Sequence, residues 1–123
     1  MKTVNVKIAD LTGAALDWAV AVAVGVSVKL SRYVAPAKPL VLTALSENKY
    51  RPSEDWSQCG PLITEYMMMV DVFEGTTEAK ATGFEGCLAA HWTCLGATPL
   101  IAICRAVVGV HFGKTVDVPE VLV

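Results

Sequence analysis

"TPLIAICRAVVGVHFG", residues 98 to 113, carries the clearest helical pattern in the chain. Thr98 followed by Pro99 is typical of a helix N-cap and a first helical position. Six apolar residues then recur at helical spacing: Leu100, Ile101, Cys104, Val107, Val108 and Phe112. Gly113 is a natural stop signal. The pattern predicts an amphipathic helix over about residues 98–112.

A second helix is predicted near the N-terminus, over about residues 11–24. Thr12 stands at the N-cap position before "GAALDWAVAVAV", and Gly25 follows the last apolar residue. Because few polar residues interrupt this stretch, we expect the helix to be buried on most sides.

Strands account for most of the remaining apolar stretches. Alternating or β-rich patterns occur at residues 2–8, 26–30, 40–45, 66–73, 87–95 and 115–123. Gly60–Pro61 predicts a short helix near 61–65, and the polar stretch 74–86 predicts a hairpin loop. We therefore predict a single α+β domain over residues 1–123. In it, an antiparallel or mixed sheet packs against two main helices.

Composition excludes several classes of protein. Hydrophobic residues make up 54% of the 123 residues and charged residues 18%, so the chain is not disordered and has ample material for a core. We also expect a covered apolar face, as in a homodimer. The longest apolar run, 14–28, is too short to cross a membrane and contains Asp17. Without an export signal, the chain is expected in a cytoplasm, with Cys59, Cys87, Cys94 and Cys104 as reduced thiols.

Charge is unevenly distributed along the chain. Residues 1–51 contain seven basic and three acidic side chains, whereas residues 52–123 contain three basic and nine acidic ones. Either the two halves interleave and their fields cancel, or a basic face attracts an anionic ligand. No run of lysine and arginine is dense enough to indicate nucleic-acid binding.

"YRPSEDWSQCGP", residues 50–61, is the first candidate site. In one interpretation it is a self-capped loop whose Trp56 plugs the sheet. In another it is a pocket wall, where Trp56 or Tyr50 stacks on a flat ligand and Asp55 and Gln58 contact its polar edge. The candidate ligand- or partner-binding residues are Tyr50, Asp55, Trp56, Gln58, Gly60, Pro61 and Arg105.

Arg105 lies among small residues of the predicted C-terminal helix, where another helix or a ligand could approach closely. It is interpreted either as the ion-pair partner of Asp55 or Asp17, or as an anion contact in a pocket or dimer interface.

Catalytic and metal chemistry have weaker support. Glu54 and Asp55 are adjacent and point in different directions, which makes a poor acid/base pair. Cys87, His91 and Cys94 would share a helical face and could form a zinc site with Cys59, but this stretch reads better as a strand. No nucleophile, phosphate-loop or metalloprotease motif occurs. We therefore expect no cofactor, no metal and no catalytic residues.

Several blocks of the chain resemble the phage NinX family, whose function is unknown. They are "LTGAALDWAVA" (11–21), "YRPSEDWSQCGPLI" (50–63), "GATPLIAICRAVV" (96–108) and "VDVP" (116–119). The middle block is the most specific, through Tyr50, Pro52, Ser53, Asp55, Trp56, Gly60 and Pro61. The chain departs from the family pattern at Cys59, where glycine is frequent, and at Ala97, where proline is common.

The resemblance implies a phage-derived accessory protein that acts in the cytoplasm of a bacterial host. Our first hypothesis is a non-enzymatic interaction module, a homodimer that binds a host or phage protein. The alternative is a protein that sequesters a flat anionic molecule, such as a nucleotide, through Trp56 and Arg105. A small hydrolase using Asp55 or His91 is a third hypothesis.

Overall fold

The fold is an α+β domain, as the sequence predicts. The computed structural model describes residues 2–81 and 92–123. Its helices are α1 (Gly13–Val24), α2 (Trp56–Glu65) and α3 (Pro99–Phe112), with short 3₁₀ turns at Ile8–Asp10 and Glu120–Leu122. Its strands are β1 (Thr3–Lys7), β2 (Val28–Leu30), β3 (Val41–Thr43), β4 (Met68–Phe73), β5 (Thr76–Ala81), β6 (Trp92–Gly96) and β7 (Thr115–Pro119).

The described strands form three separate antiparallel sheets, where the sequence analysis expected one. β1 pairs with β7, β2 pairs with β3, and the largest sheet has the order β4-β5-β6. The β1–β7 pair places Lys7 opposite Thr115, so the two ends of the chain meet in one ribbon.

The prediction of a loop over 74–86 is wrong at Thr76–Ala81, which forms β5. Its inward-facing residues are Thr77, Ala79 and Ala81, all buried. Because they are small or polar, this stretch has no apolar alternation to indicate a strand. The rest of that predicted loop, 82–86, and residues 87–91 of the predicted returning strand lie outside the described residues.

Helix α3 is the centre of the core, and its predicted boundaries are confirmed. Thr98 Oγ1 accepts a hydrogen bond from the Ile101 backbone N–H at 3.2 Å, and Gly113 ends the helix with a φ of 82°. α3 packs against β5, β6, α1 and α2. Its middle turns are buried apart from the half-buried Arg105, whereas Phe112, assigned to the apolar stripe, is 40% exposed.

The crossing of β6 over α3 requires glycine on both elements. A Cβ atom on Gly109 would collide with the indole ring of Trp92. A Cβ atom on Gly96 would lie 2.5 Å from the backbone nitrogen of Ala102. The small residues near Arg105 therefore admit Trp92 from the chain's own sheet.

Helix α2 begins at Trp56, five residues before the predicted start. Asp55 caps it by accepting a hydrogen bond from the Ser57 backbone N–H at 2.9 Å. Pro61 therefore lies inside the helix rather than at its first position. Lacking an N–H, it leaves the Ser57 carbonyl without the usual helical donor. The start of α2 is therefore determined by the Asp55 cap and not by the Gly60–Pro61 pair.

Two glycine-to-alanine substitutions should differ in their effect on stability. Gly109→Ala should lower the free energy of unfolding by about 1–3 kcal/mol, because the new methyl group displaces the Trp92 ring. Gly60→Ala, also inside a helix but with no atom within 4 Å of its Cβ position apart from its chain neighbours and helix backbone, should change it by less than about 1 kcal/mol, because crowding against Pro61 offsets the higher helix propensity of alanine. Urea unfolding of both variants measures this difference. A Gly109→Ala variant as stable as Gly60→Ala would contradict the packing described here.

Candidate functional site

The loop before α2 is held together by its own polar side chains. Gln58 Oε1 accepts a hydrogen bond from the Arg51 backbone N–H at 2.7 Å, and Gln58 Nε2 donates to the Lys49 carbonyl at 3.0 Å. Asp55 accepts hydrogen bonds from the hydroxyl and the backbone N–H of Ser57, and these lower its pKa. Asp55 and Gln58 thus make bonds that shape the loop.

Trp56 does not plug the sheet, so that interpretation is wrong. Its side chain is 52% exposed, in the first turn of α2. The residues of this block that are buried are Pro52, Ser53 and Cys59. The face of α2 that meets the core is defined by Cys59 and Leu62.

Asp17 of α1 anchors this loop. Its carboxylate accepts a hydrogen bond from the Ser53 backbone N–H at 2.9 Å, and the side chain is 4% exposed. Burial raises the pKa of Asp17 to about 6, and the hydrogen bonding from Ser53 only partly opposes that rise. The proposed ion pair between Asp17 and Arg105 is therefore wrong, because Asp17 bonds to a peptide N–H of the loop.

Two buried thiols join α2 to α3. The side chains of Cys59 and Cys104 are hydrogen-bonded to each other, and both residues are fully buried. This hydrogen bond and burial raise the pKa of Cys104, so it stays a neutral thiol. The pair occupies the core in the reduced state that the sequence analysis expects of these residues.

Tyr50 lies beside a small cavity at the surface of the loop. The cavity has a volume of about 180 Å³, and Asp17, Lys49, Arg51 and Glu54 also line it. Burial raises the pKa of the Tyr50 hydroxyl. Its charged lining has two acids, Asp17 and Glu54, and two bases, Lys49 and Arg51, so the cavity has no preference for one sign of charge.

Arg105 belongs to a different and larger pocket. Its Nε donates to the Leu11 carbonyl at 3.0 Å, and its Nη1 donates to the Leu95 carbonyl at 2.8 Å. Across residues 2–81 and 92–123 it makes no ion pair with an acid. Burial lowers the pKa of the guanidinium, although arginine keeps its charge in proteins. Arg105 therefore ties β6 to the segment before α1, and of the described carboxylates Asp10 is near enough to interact with its charge without forming an ion pair.

The Arg105 pocket has a volume of about 570 Å³, within the range of small-molecule sites. Its described lining is Lys7, Ile8, Ala9, Trp92, Thr93, Cys94, Leu95, Arg105, Lys114 and Thr115. Three of these residues are basic and none is acidic. Trp92, Ile8 and Leu95 supply apolar wall, so the pocket combines positive charge with apolar surface.

The sequence-predicted site residues are not brought together in one place. Tyr50 lines the small cavity, and Asp55, Gln58, Gly60 and Pro61 are engaged in the loop or in α2. Arg105 lines the large pocket, and none of the other six candidates, all described, lines it with Arg105. Their role in binding a ligand or partner stays a prediction.

Of the charged and aromatic residues that line the large pocket, sequence reasoning identified Arg105 and missed Lys7, Trp92 and Lys114. Lys7 and Lys114 meet because β1 pairs with β7, a contact between opposite ends of the chain. No local pattern indicates that pairing. For Asp17, which anchors the loop before α2, the sequence did contain a signal, because it is the one charged residue in a long apolar run.

The zinc alternative depends on Cys87 and His91, which lie outside the described residues. Of its other members, Cys94 lines the large pocket, and Cys59 is buried against Cys104. In the part of the chain that is described, no group of three histidine, cysteine or acidic side chains could hold a metal ion.

The fold and the pockets define a small α+β domain with a basic, tryptophan-lined pocket at the crossing of β6 and α3. Residues 7–110 match the family model described as Bacteriophage P22, NinX. Because this match covers most of the chain, the protein belongs to that phage family. No curated protein matches it. None of the described helices is long and apolar enough to cross a membrane.

Asp17 should make the stability of the protein depend on pH. Its pKa is raised on folding from 3.8 to about 6, so the folded state favours the protonated form. Stability from this group is fully present below the unfolded pKa and is lost as pH rises through the folded pKa. Between about pH 4 and pH 7, the wild type should lose about 2–3 kcal/mol relative to Asp17→Asn.

Urea unfolding at a series of pH values measures this difference. Glu74→Gln, which removes an exposed carboxylate from the turn between β4 and β5, is the control and should keep the wild-type dependence. Parallel pH profiles for the wild type and Asp17→Asn would show that burial does not perturb Asp17.

Proposed function

We propose that this phage protein binds a small anionic molecule in the Arg105 pocket. The observation that carries the proposal is the charge of the lining: Lys7, Arg105 and Lys114 contribute three positive charges, and no described lining residue is acidic. Apolar walls that exclude water strengthen the attraction between such charges and an anion. A volume of about 570 Å³ suits a molecule of nucleotide size.

The three cations would act differently on a ligand. Arg105 is held by the Leu11 and Leu95 carbonyls, so its orientation is set before a ligand arrives. Such preorganisation reduces the entropy lost on binding. Lys7 and Lys114 are exposed and can move toward an anionic group. Trp92 offers aromatic surface to the flat part of a ligand.

This proposal keeps one of the two contacts, Trp56 and Arg105, that the nucleotide-binding hypothesis names. Arg105 remains the predicted anion contact, whereas the aromatic partner becomes Trp92 in place of Trp56. A binding role is better supported than hydrolysis, because the Asp55 carboxylate is committed to capping α2. Action in the bacterial host cytoplasm is part of the proposal and is supported by the family assignment.

A protein-interaction module is the second candidate function. It is supported by the exposed apolar side chains of Met69, Val72 and Phe73 on the three-stranded sheet. The exposed Trp56 and the surrounding loop are a further surface for a host or phage protein. Both functions are compatible in one molecule, because the sheet surface and the pocket have different linings.

Adenosine monophosphate is a suitable probe of the pocket, and adenosine, which lacks the phosphate, is its matched control. We expect calorimetry to detect the nucleotide and not the nucleoside. Lys7→Gln combined with Lys114→Gln should raise the dissociation constant about tenfold, since two exposed charge contacts are lost. Lys38→Gln, an exposed lysine outside this pocket, should leave it unchanged.

Inorganic phosphate and benzoate extend the test to anions without a nucleobase. If none of the three anions binds, or if the lysine variants bind them as the wild type does, the pocket is not an anion site.

A further inference from the structure

Strand β4 presents an apolar edge. Among the described strands it has one neighbour, β5, because the sheet order is β4-β5-β6. Met69 is 59% exposed, Val72 69% and Phe73 58%. Proteins usually protect such an edge with lysine, proline or a bulge, because an open edge pairs with other chains. Asp71 is the single charged residue of β4, so this strand is poorly protected against pairing.

The outward-facing side of this sheet contains an unfavourable pair of charges. The β4–β5 register places Asp71 directly opposite Glu78, and Met69 directly opposite Lys80. Like charges at directly opposed positions destabilise a sheet. The ion pairs of the described residues, Lys2–Glu120 and Lys29–Glu47, do not include either acid. The two carboxylates form a row that ends at the open edge.

We propose that β4 pairs antiparallel with β4 of a second copy of this chain, about a twofold axis at Val70. Opposed residues in a sheet point to the same face, so the axis can pass through a residue of β4 but not between two of them. An axis at Asp71 would place four carboxylates in one row. An axis at Val70 places Asp71 opposite Met69 of the second copy, with Lys80 of that copy next in the row.

This register brings a second lysine to the acidic row, which Lys80 of the same copy flanks only diagonally, and covers the exposed apolar side chains. Strands lie about 4.8 Å apart, so Lys80 of the second copy starts roughly 10 Å from Asp71, and its long side chain reaches across Met69. By symmetry the contact forms twice. On the inner face, Met68 lies opposite Val72 of the second copy, and the two sheets become one of six strands.

The dimer is independent of ligand binding in the Arg105 pocket. That pocket is lined by residues of β6, and β5 separates β6 from β4 in the sheet. Pairing through β4 therefore leaves both pockets open, at opposite ends of the joined sheet. Failure of either proposal would not affect the other.

Sedimentation equilibrium of the full chain, from about 5 to 500 µM, tests the proposal. A single pair of strands is a small interface, so we expect a dissociation constant on the order of 10–100 µM. Met69→Glu should raise it about tenfold, because the new carboxylate would then lie opposite Asp71 in two symmetry-related places. Within one copy, the same carboxylate lies opposite Lys80, so the monomer should not lose thermal stability.

A charge-swapped double variant tests the register itself. Asp71→Lys combined with Met69→Glu places opposite charges across the interface and, within each copy, opposite Glu78 and Lys80. The dissociation constant should return to within about threefold of the wild-type value. A wild-type chain that stays monomeric at about 500 µM would overturn the proposal. The proposal would also be overturned by a Met69→Glu variant with the wild-type dissociation constant. A folded double variant whose dissociation constant stays as high as that of Met69→Glu would overturn it as well.

Discussion

The contact between the Trp92 indole and Gly109 is the constraint on which the rest of this structure depends. It brings β6 against α3 more closely than any side chain at position 109 would allow. From that crossing, the Leu95 carbonyl meets the Arg105 guanidinium, and the same guanidinium reaches the Leu11 carbonyl before α1. One aromatic–glycine contact thereby aligns a sheet, two helices and the wall of the basic pocket.

A second constraint is the buried carboxylate of Asp17. Burying an acid is costly unless hydrogen bonds compensate, and the Ser53 backbone N–H supplies one. This hydrogen bond ties the loop that precedes α2 to α1, at a point where the loop contributes little apolar surface. The most distinctive block of the sequence is thus explained in large part by architecture: Asp55 caps, Gln58 clamps, and Pro52 and Ser53 are buried.

How well each element could be predicted from the sequence depends on how far apart along the chain its interacting residues lie. Helices α1 and α3 are readable because apolar spacing and a terminal glycine lie within a few residues of one another, and in α3 the Thr98 side chain also caps the first turn, whereas Thr12 makes no such hydrogen bond at α1. Strand β5 is not, because its inner face is made of Thr77, Ala79 and Ala81. The pocket is harder still. Lys7 and Lys114 are brought together by strands from opposite ends of the chain, and Arg105 could be recognised but not its neighbours.

The wall of the basic pocket also contains a cysteine that can be labelled chemically. Of the cysteines in the described part of the chain, Cys59 and Cys104 are sealed in the core, whereas Cys94 lines the pocket and is half-buried. Burial raises the pKa of the Cys94 thiol, so its alkylation is slow. A maleimide or iodoacetamide dye attached there would occupy the pocket in which we propose that a ligand binds. Protection of this thiol from the dye would then report occupancy directly, whatever the chemical nature of the occupant.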